Sequence, residues 1–181
     1  MFFYVGAEAC TAGFYISYLK EVSGFTAAQT ARFLTYYYVA STVVSLIGIY
    51  LLRIVSAGRL VALFGVGMVL MYLLAALTRS GLNPYYMIGL GAFISIMFPS
   101  LFSLGIEGIG NFTEKGSALI NIAVVGGAVF PPLQGMVADA KGVQISYLVP
   151  CCCFVLIVIY GIFCDRRFLI LKATLSGENS K

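Results

Sequence analysis

Six long apolar runs, at 2–19, 33–52, 60–78, 84–106, 117–137 and 145–164, limit what this chain can fold into. A hydrocarbon core about 30 Å thick takes roughly 20 apolar residues of helix. Each run meets that length to within a residue or two. A membrane barrel would instead alternate apolar and polar residues in segments of about ten, and no such alternation occurs. With 61% hydrophobic and only 10% charged residues, a soluble domain would lack the polar surface to stay in solution. The expected fold is an all-α integral membrane domain of six transmembrane helices over 1–167. A cytoplasmic, disordered tail is expected at 168–181.

The charges orient the spans. Arg53, Arg59, Lys115, Arg166, Arg167, Lys172 and Lys181 fall on the side of the loops after spans two, four and six. Lys20, Arg32, Arg79 and Lys141 fall on the other. Seven against four is a positive-inside bias that places the C-terminus, and with six spans the N-terminus, in the cytoplasm. The expected location is the plasma membrane. The basic residues are scattered over short loops, which argues against a nucleic-acid surface. Met1 leads straight into apolar sequence without a basic region or cleavage site, so it does not read as a signal peptide. It reads as a span that begins abruptly, as though sequence precedes it.

Connections are short, at 54–59, 79–83 and 138–144, with a longer one at 20–32. Thr26 is placed to cap a helix that restarts after it. Asn83-Pro84 reads as a cap followed by proline at the first helical position. Pro99 in span four and Pro131-Pro132 in span five each remove a backbone hydrogen bond and should kink their helices. Gly65-x-Gly67, Gly89-x-Gly91 and Gly126-Gly127 allow close helix approach.

Glu8 is the only acidic or basic side chain inside any of the six runs. A charge at the bilayer centre costs roughly 2.5–3.5 kcal/mol on insertion scales, so such a residue normally faces a bundle interior, a cavity or a partner. Tyr4, Glu8, Thr11, Tyr15 and Tyr18 follow i, i+4, i+7, i+11, i+14 and share one helical face. Tyr38, Ser41, Thr42 and Ser45 repeat the pattern on span two, with Asn121 on span five and Ser95 and Ser103 on span four. Hydroxyls around one carboxylate suit sugar hydroxyls, and tyrosine adds a ring for the sugar's C–H face. Each hydroxyl taken singly is better explained by bonding to a backbone. Glu8 itself could contact substrate, carry a proton, or simply bond to a tyrosine.

Enzymatic readings find little support. The chain has no histidine and no second carboxylate within a span, so hydrolytic constellations are missing. Cys10, Cys151, Cys152, Cys153 and Cys164 show no CxxC spacing, which argues against zinc. The sequon Asn111-Phe112-Thr113 falls on the side expected to be cytoplasmic.

The run Ala92-Phe93-Ile94-Ser95-Ile96-Met97-Phe98-Pro99-Ser100-Leu101-Phe102-Ser103-Leu104-Gly105-Ile106 resembles the tenth span of the fucose permease (fucose–galactose–glucose proton symporter) family of the major facilitator superfamily. Gly108-Ile109-Gly110, Lys115-Gly116-Ser117, Val125-Gly126-Gly127-Ala128 and Gly135-Met136-Val137-Ala138-Asp139 continue the likeness through the eleventh span. Phe3-Tyr4-Val5-Gly6-Ala7-Glu8 resembles the start of the seventh, and Phe25-Thr26-Ala27 the connection after it.

The resemblance implies one half of a twelve-helix transporter, the C-terminal one, whose sugar site lies between two six-helix halves. It implies secondary-active sugar transport by alternating access, with a monosaccharide substrate, no cofactor, and a coupling proton handled by the N-terminal half. Glu8 then reads as a sugar ligand, with Tyr4, Thr11, Tyr38 and Asn121 as further substrate contacts. Pro99, Gly126, Gly127, Pro131, Arg53 and Arg59 are candidates for conformational change. The expected partners are the lipid bilayer and an N-terminal six-helix half. The family's Gly-Arg within the eighth span is replaced here by Val44-Ser45, which bears on substrate identity. The competing expectation is a non-transporting membrane protein that associates with or regulates another transporter chain.

Overall fold

The computed structural model describes residues 1–178, apart from the side chains of Asn111 and of 167–178. Its described residues are overwhelmingly helical and contain no strand. The order is α1 (Phe2–Ser23), α2 (Ala27–Ile54), α3 (Ala57–Leu77), α4 (Asn83–Ile94), α5 (Met97–Ile106), α6 (Thr113–Ile122), α7 (Gly126–Lys141), α8 (Val143–Ser146) and α9 (Leu148–Glu178). Five segments, at α2, α3, α4–α5, α6–α7 and α8–α9, are long and apolar enough to cross a membrane. Helix α1 falls short on apolarity because Glu8 and its tyrosines dilute it. At 22 residues it is nevertheless about 33 Å long. Being packed on several sides, it needs less lipid-facing surface.

Local chemistry sets the helix ends. Thr26 caps α2 in a reciprocal box: its hydroxyl accepts from the Gln29 amide, and the Gln29 side chain accepts from the Thr26 N–H at 2.9 Å. Ser56 caps α3 through the Arg59 N–H. Gly24 takes φ +66° where α1 ends. Asn83 differs from expectation. It is the first residue of α4, not its cap, and its buried side chain ties three elements together.

The prolines interrupt helices, though not always where expected. Pro99 leaves the Ser95 carbonyl without its helical donor, and the fourth span breaks at Ser95–Ile96 between α4 and α5. Pro150 acts likewise on Ser146, between α8 and α9. Pro131 and Pro132, by contrast, lie inside the continuous α7. The fifth span is interrupted upstream of them, by a tight turn at Ala123–Val125. There Gly126 brings α7 against the Phe2 carbonyl of α1 with no room for a side chain. Helix α9 runs to Glu178, where a disordered tail was expected from 168. The side chains from 167 onward and residues 179–181 lie outside the described residues.

The core is rich in tyrosine. Tyr15, Tyr18, Tyr72 and Tyr147 are fully buried with Phe154, Met68, Met87 and Met97. Helices α3 and α9 cross at backbone contact, because Gly58 faces the Asp165 backbone and Gly161 faces the Ala62 amide. The outside is apolar: Leu46, Ile49, Leu63, Leu70, Leu119, Ile159 and Phe163 are all exposed. Such an inverted surface belongs in lipid, and the chain is a multi-pass membrane protein.

Candidate functional site

Helix α1 organises the site. Near its start, Phe2, Val5, Gly6 and Ala9 meet α7 through Gly126, Gly127 and Phe130. A second side faces α9: the Tyr4 ring lies 6.4 Å from Phe154, and Tyr18 lies 4.8 Å from Tyr147. A third faces α2 and α4, where the Tyr15 hydroxyl donates to the Phe33 carbonyl at 3.0 Å and Tyr4 donates to the Ile94 carbonyl at 3.4 Å. What remains is a stripe at Glu8, Ala12, Ile16 and Lys20, spaced i, i+4, i+8, i+12. Glu8 is half-buried at one end of this stripe and the others are exposed.

The two spans flanking α1 are also the least covered. Only 11% of the apolar window of α2 and 6% of that of α6–α7 is buried, against 39–44% for the spans behind them. The open stripe of α1 therefore lies beside two spans that are little buried within the described residues.

Glu8 sits among phenols. It lies one turn from Tyr4 on α1 and near Tyr37 of α2. Tyr37 is held edge-on to Tyr15, with ring centroids 5.2 Å apart, and lies against Gly91 of α4. Tyr38 stands edge-on to Tyr37 at 5.2 Å and is 56% exposed. Among the described residues no cation forms an ion pair with Glu8. The cluster offers an acceptor carboxylate, phenol donors and ring faces, a set matched to a neutral, hydroxyl-rich ligand. The described residues contain no metal-ligating group of three.

The tyrosine stripe does share a face, but that face is packed and does not line a cavity. Thr11, expected on a cavity wall, is fully buried; its hydroxyl donates to the Ala7 carbonyl at 2.8 Å and bonds Tyr72. Tyr18 donates to the Ala75 carbonyl at 2.7 Å and accepts from Asn83 at 3.1 Å. These hydroxyls fasten α1 to its neighbours, because an unpaired hydroxyl buried in a bundle is costly. Of the expected substrate contacts, Tyr4 and Glu8 are neighbours on α1, while Tyr38 reaches the cluster only through the ring of Tyr37. Asn121 is exposed on α6, and no described contact joins it to Glu8. Tyr37 and Asn83 were missed as organising residues; for Tyr37 the signal was present, since it alone of the Tyr36-Tyr37-Tyr38 run shares a face with Thr30 and Gly48, the other buried residues of α2.

The candidate conformational residues divide similarly. Pro99 is exposed on α5 beside the helix break. Gly126 and Gly127 pack on α1, and Pro131 is half-buried within α7. Arg53 is exposed in the last turn of α2. The Arg59 guanidinium lies 3.5 Å from Asp165 of α9, which also accepts from the Ser56 hydroxyl.

Comparison with known proteins fits this architecture. No family model matches the chain. It is 32% identical over 164 residues to a glucose/galactose transporter of Brucella abortus, covering 90% of this chain and 40% of that protein. It is 30% identical to a putative glucose/galactose transporter of Helicobacter pylori, covering 99% of this chain and 43% of that protein. With the L-fucose-proton symporter of Escherichia coli it shares 30% identity, covering 90% and 37% respectively. A crystal structure of the major facilitator transporter FucP in the outward conformation matches with a TM-score of 0.85 at 30% identity, over 90% of this chain and 40% of that one. The chain thus spans about 40% of the length of the relatives it matches, and those relatives are named as transporters, not enzymes. Over 90% of its length this chain matches one half of the family of fucose–proton symporters and glucose/galactose transporters in the major facilitator superfamily.

Proposed function

We propose that this chain forms the C-terminal half of a secondary-active monosaccharide transporter of the fucose or glucose/galactose type. It would work by alternating access, rocking against an N-terminal six-helix half and coupling to protons through that partner. The observation that carries this reading is the half-buried Glu8 carboxylate at the edge of the open face of α1, beside the little-covered spans α2 and α6–α7. A carboxylate at that edge, with no ion pair among the described residues, is available to a ligand there. The 30–32% identity to proteins named as sugar transporters supports a sugar as the ligand.

In this reading Glu8 accepts hydrogen bonds from sugar hydroxyls, Tyr4 ties α1 to α4 beside it through the Ile94 carbonyl, Tyr37 lies near the carboxylate, and Tyr38 offers a ring face. Asn121 contributes an amide once α6 tilts toward the closed cavity. Thr11 serves packing. The breaks beside Pro99 and before Gly126-Gly127, with Pro131 in α7, supply the bending that alternating access needs, while Arg53 and Arg59 line the α2–α3 loop on the cytoplasmic side. The charge bias supports cytoplasmic termini in a plasma membrane.

The test is uptake of labelled fucose, glucose and galactose into proteoliposomes. The vesicles hold this chain, the N-terminal half of a relative, or both. Saturable uptake only with both is the expected result. Saturable uptake by this chain as a monomer overturns the half-site reading.

A further inference from the structure

We propose that the membrane edge where α1, α3 and α7 end holds one phosphatidylethanolamine molecule, its chain in a groove between α7 and α9 and its headgroup on Lys141, Arg79 and Glu21. Two adjoining hollows carry the inference. The first, about 380 Å³, is apolar and is lined by Val137, Ala140, Leu148, Val149 and Cys152, with Lys141 at its mouth. The second, about 240 Å³, is lined by Glu21, Arg79, Lys141, Gly142 and Gln144. Lys141 and Ile145 line both, so the hollows adjoin.

The second hollow is built. The Arg79 Nε donates to Gln144 Oε1 at 2.9 Å, which fixes the guanidinium and leaves its terminal nitrogens for another acceptor. Gln144 is itself 5% exposed and is held by donating to the Ala75 and Thr78 carbonyls at 3.2 and 2.9 Å. Glu21 accepts from the Val143 N–H at 3.3 Å, which holds its carboxylate at the rim. Two cations and one carboxylate beside an apolar groove match a phosphate joined to a primary ammonium and an acyl chain. The phosphate takes Lys141 and Arg79, the ammonium takes Glu21, and the chain fills the groove. A headgroup without an ammonium leaves Glu21 facing a phosphate, and a choline cannot donate to it.

The experiment is native mass spectrometry of the full chain in detergent, titrated with phosphatidylethanolamine, phosphatidylglycerol or phosphatidylcholine of matched chains. One saturable phosphatidylethanolamine adduct, retained in preference to the other two lipids, is expected. Lys141→Ala should weaken it about tenfold, as loss of one charge-assisted bond does, while Lys115→Ala leaves it unchanged. Glu21→Gln, which keeps the bond from Val143, should abolish the preference over phosphatidylglycerol. Glycerophosphoethanolamine, the headgroup without chains, should not displace the adduct. Equal retention of all three lipids, equal behaviour of the two lysine variants, or displacement by the free headgroup overturns the proposal.

Discussion

Gly126→Ala tests whether α1 and α7 meet as closely as the fold requires. A methyl group built on Gly126 falls onto the Phe2 carbonyl oxygen, with the carbonyl carbon at 2.9 Å. Both are backbone atoms of α1 and cannot rotate aside. The helices must separate, and the neighbouring contacts of Gly127 with Val5 and of Gly6 with Phe130 loosen with them. Overpacking of this kind costs about 1–3 kcal/mol. At about 2–4 °C per kcal/mol for a chain of this size, the melting temperature should fall by roughly 2–12 °C. Gly13→Ala is the matched control, since a methyl group there meets nothing within 4 Å. In a helix it should be neutral or stabilising by up to about 1 kcal/mol. The assay is thermal unfolding of the purified chain in one detergent, followed by intrinsic tyrosine fluorescence and by loss of monodisperse protein. If Gly126→Ala melts with Gly13→Ala, the α1–α7 contact is not as described and the reasoning fails.

Other substitutions probe separate parts of the structure. Tyr18→Phe removes a buried hydroxyl bonded to the Ala75 carbonyl and Asn83; a loss of about 1–3 kcal/mol is expected, measured by the same melt. Asp165→Ala removes the contact with Arg59, whose side chain is 58% exposed. That ion pair should contribute less than about 1 kcal/mol, so a larger loss would point to the Ser56 bond, and Ser56→Ala would then reproduce it. Tyr38→Phe should leave the melt within about 0.5 kcal/mol of the parent, as expected of an exposed site, because the ring stays and its hydroxyl has no described partner.

Five of the spans were legible because length and apolarity alone decide them, and Thr26 because capping chemistry is local. The break beside Pro99 was legible for the same reason: a missing N–H frees a particular carbonyl. The fifth span shows the limit. Its prolines announced a kink, yet the interruption sits at Ala123–Val125, where tertiary contact with Phe2 decides it. The α1 stripe shows a second limit. Periodicity correctly grouped Tyr4, Thr11, Tyr15 and Tyr18 on one face. It could not say whether that face was covered, and it is the packed one. Glu8 lies about 40° further round the helix than Tyr4, at 100° per residue. That rotation carries it from the packed face to the edge of the open one. Helical phase set Tyr37 apart from Tyr36 and Tyr38, but phase alone did not say that its face is the covered one.

We propose Glu8 as a sugar ligand on one wall of a cavity whose opposite wall belongs to a second half. Its most direct test is equilibrium binding of tritiated sugar to the assembled halves, with and without Glu8→Gln, alongside proton-driven uptake by the same preparations. A hydrogen bond to a charged group contributes about 1.5–3 kcal/mol, so the variant should bind sugar roughly 10–100-fold more weakly. Proton-driven accumulation should persist at saturating sugar. Unchanged sugar affinity together with lost proton coupling would contradict the account and make Glu8 the proton carrier.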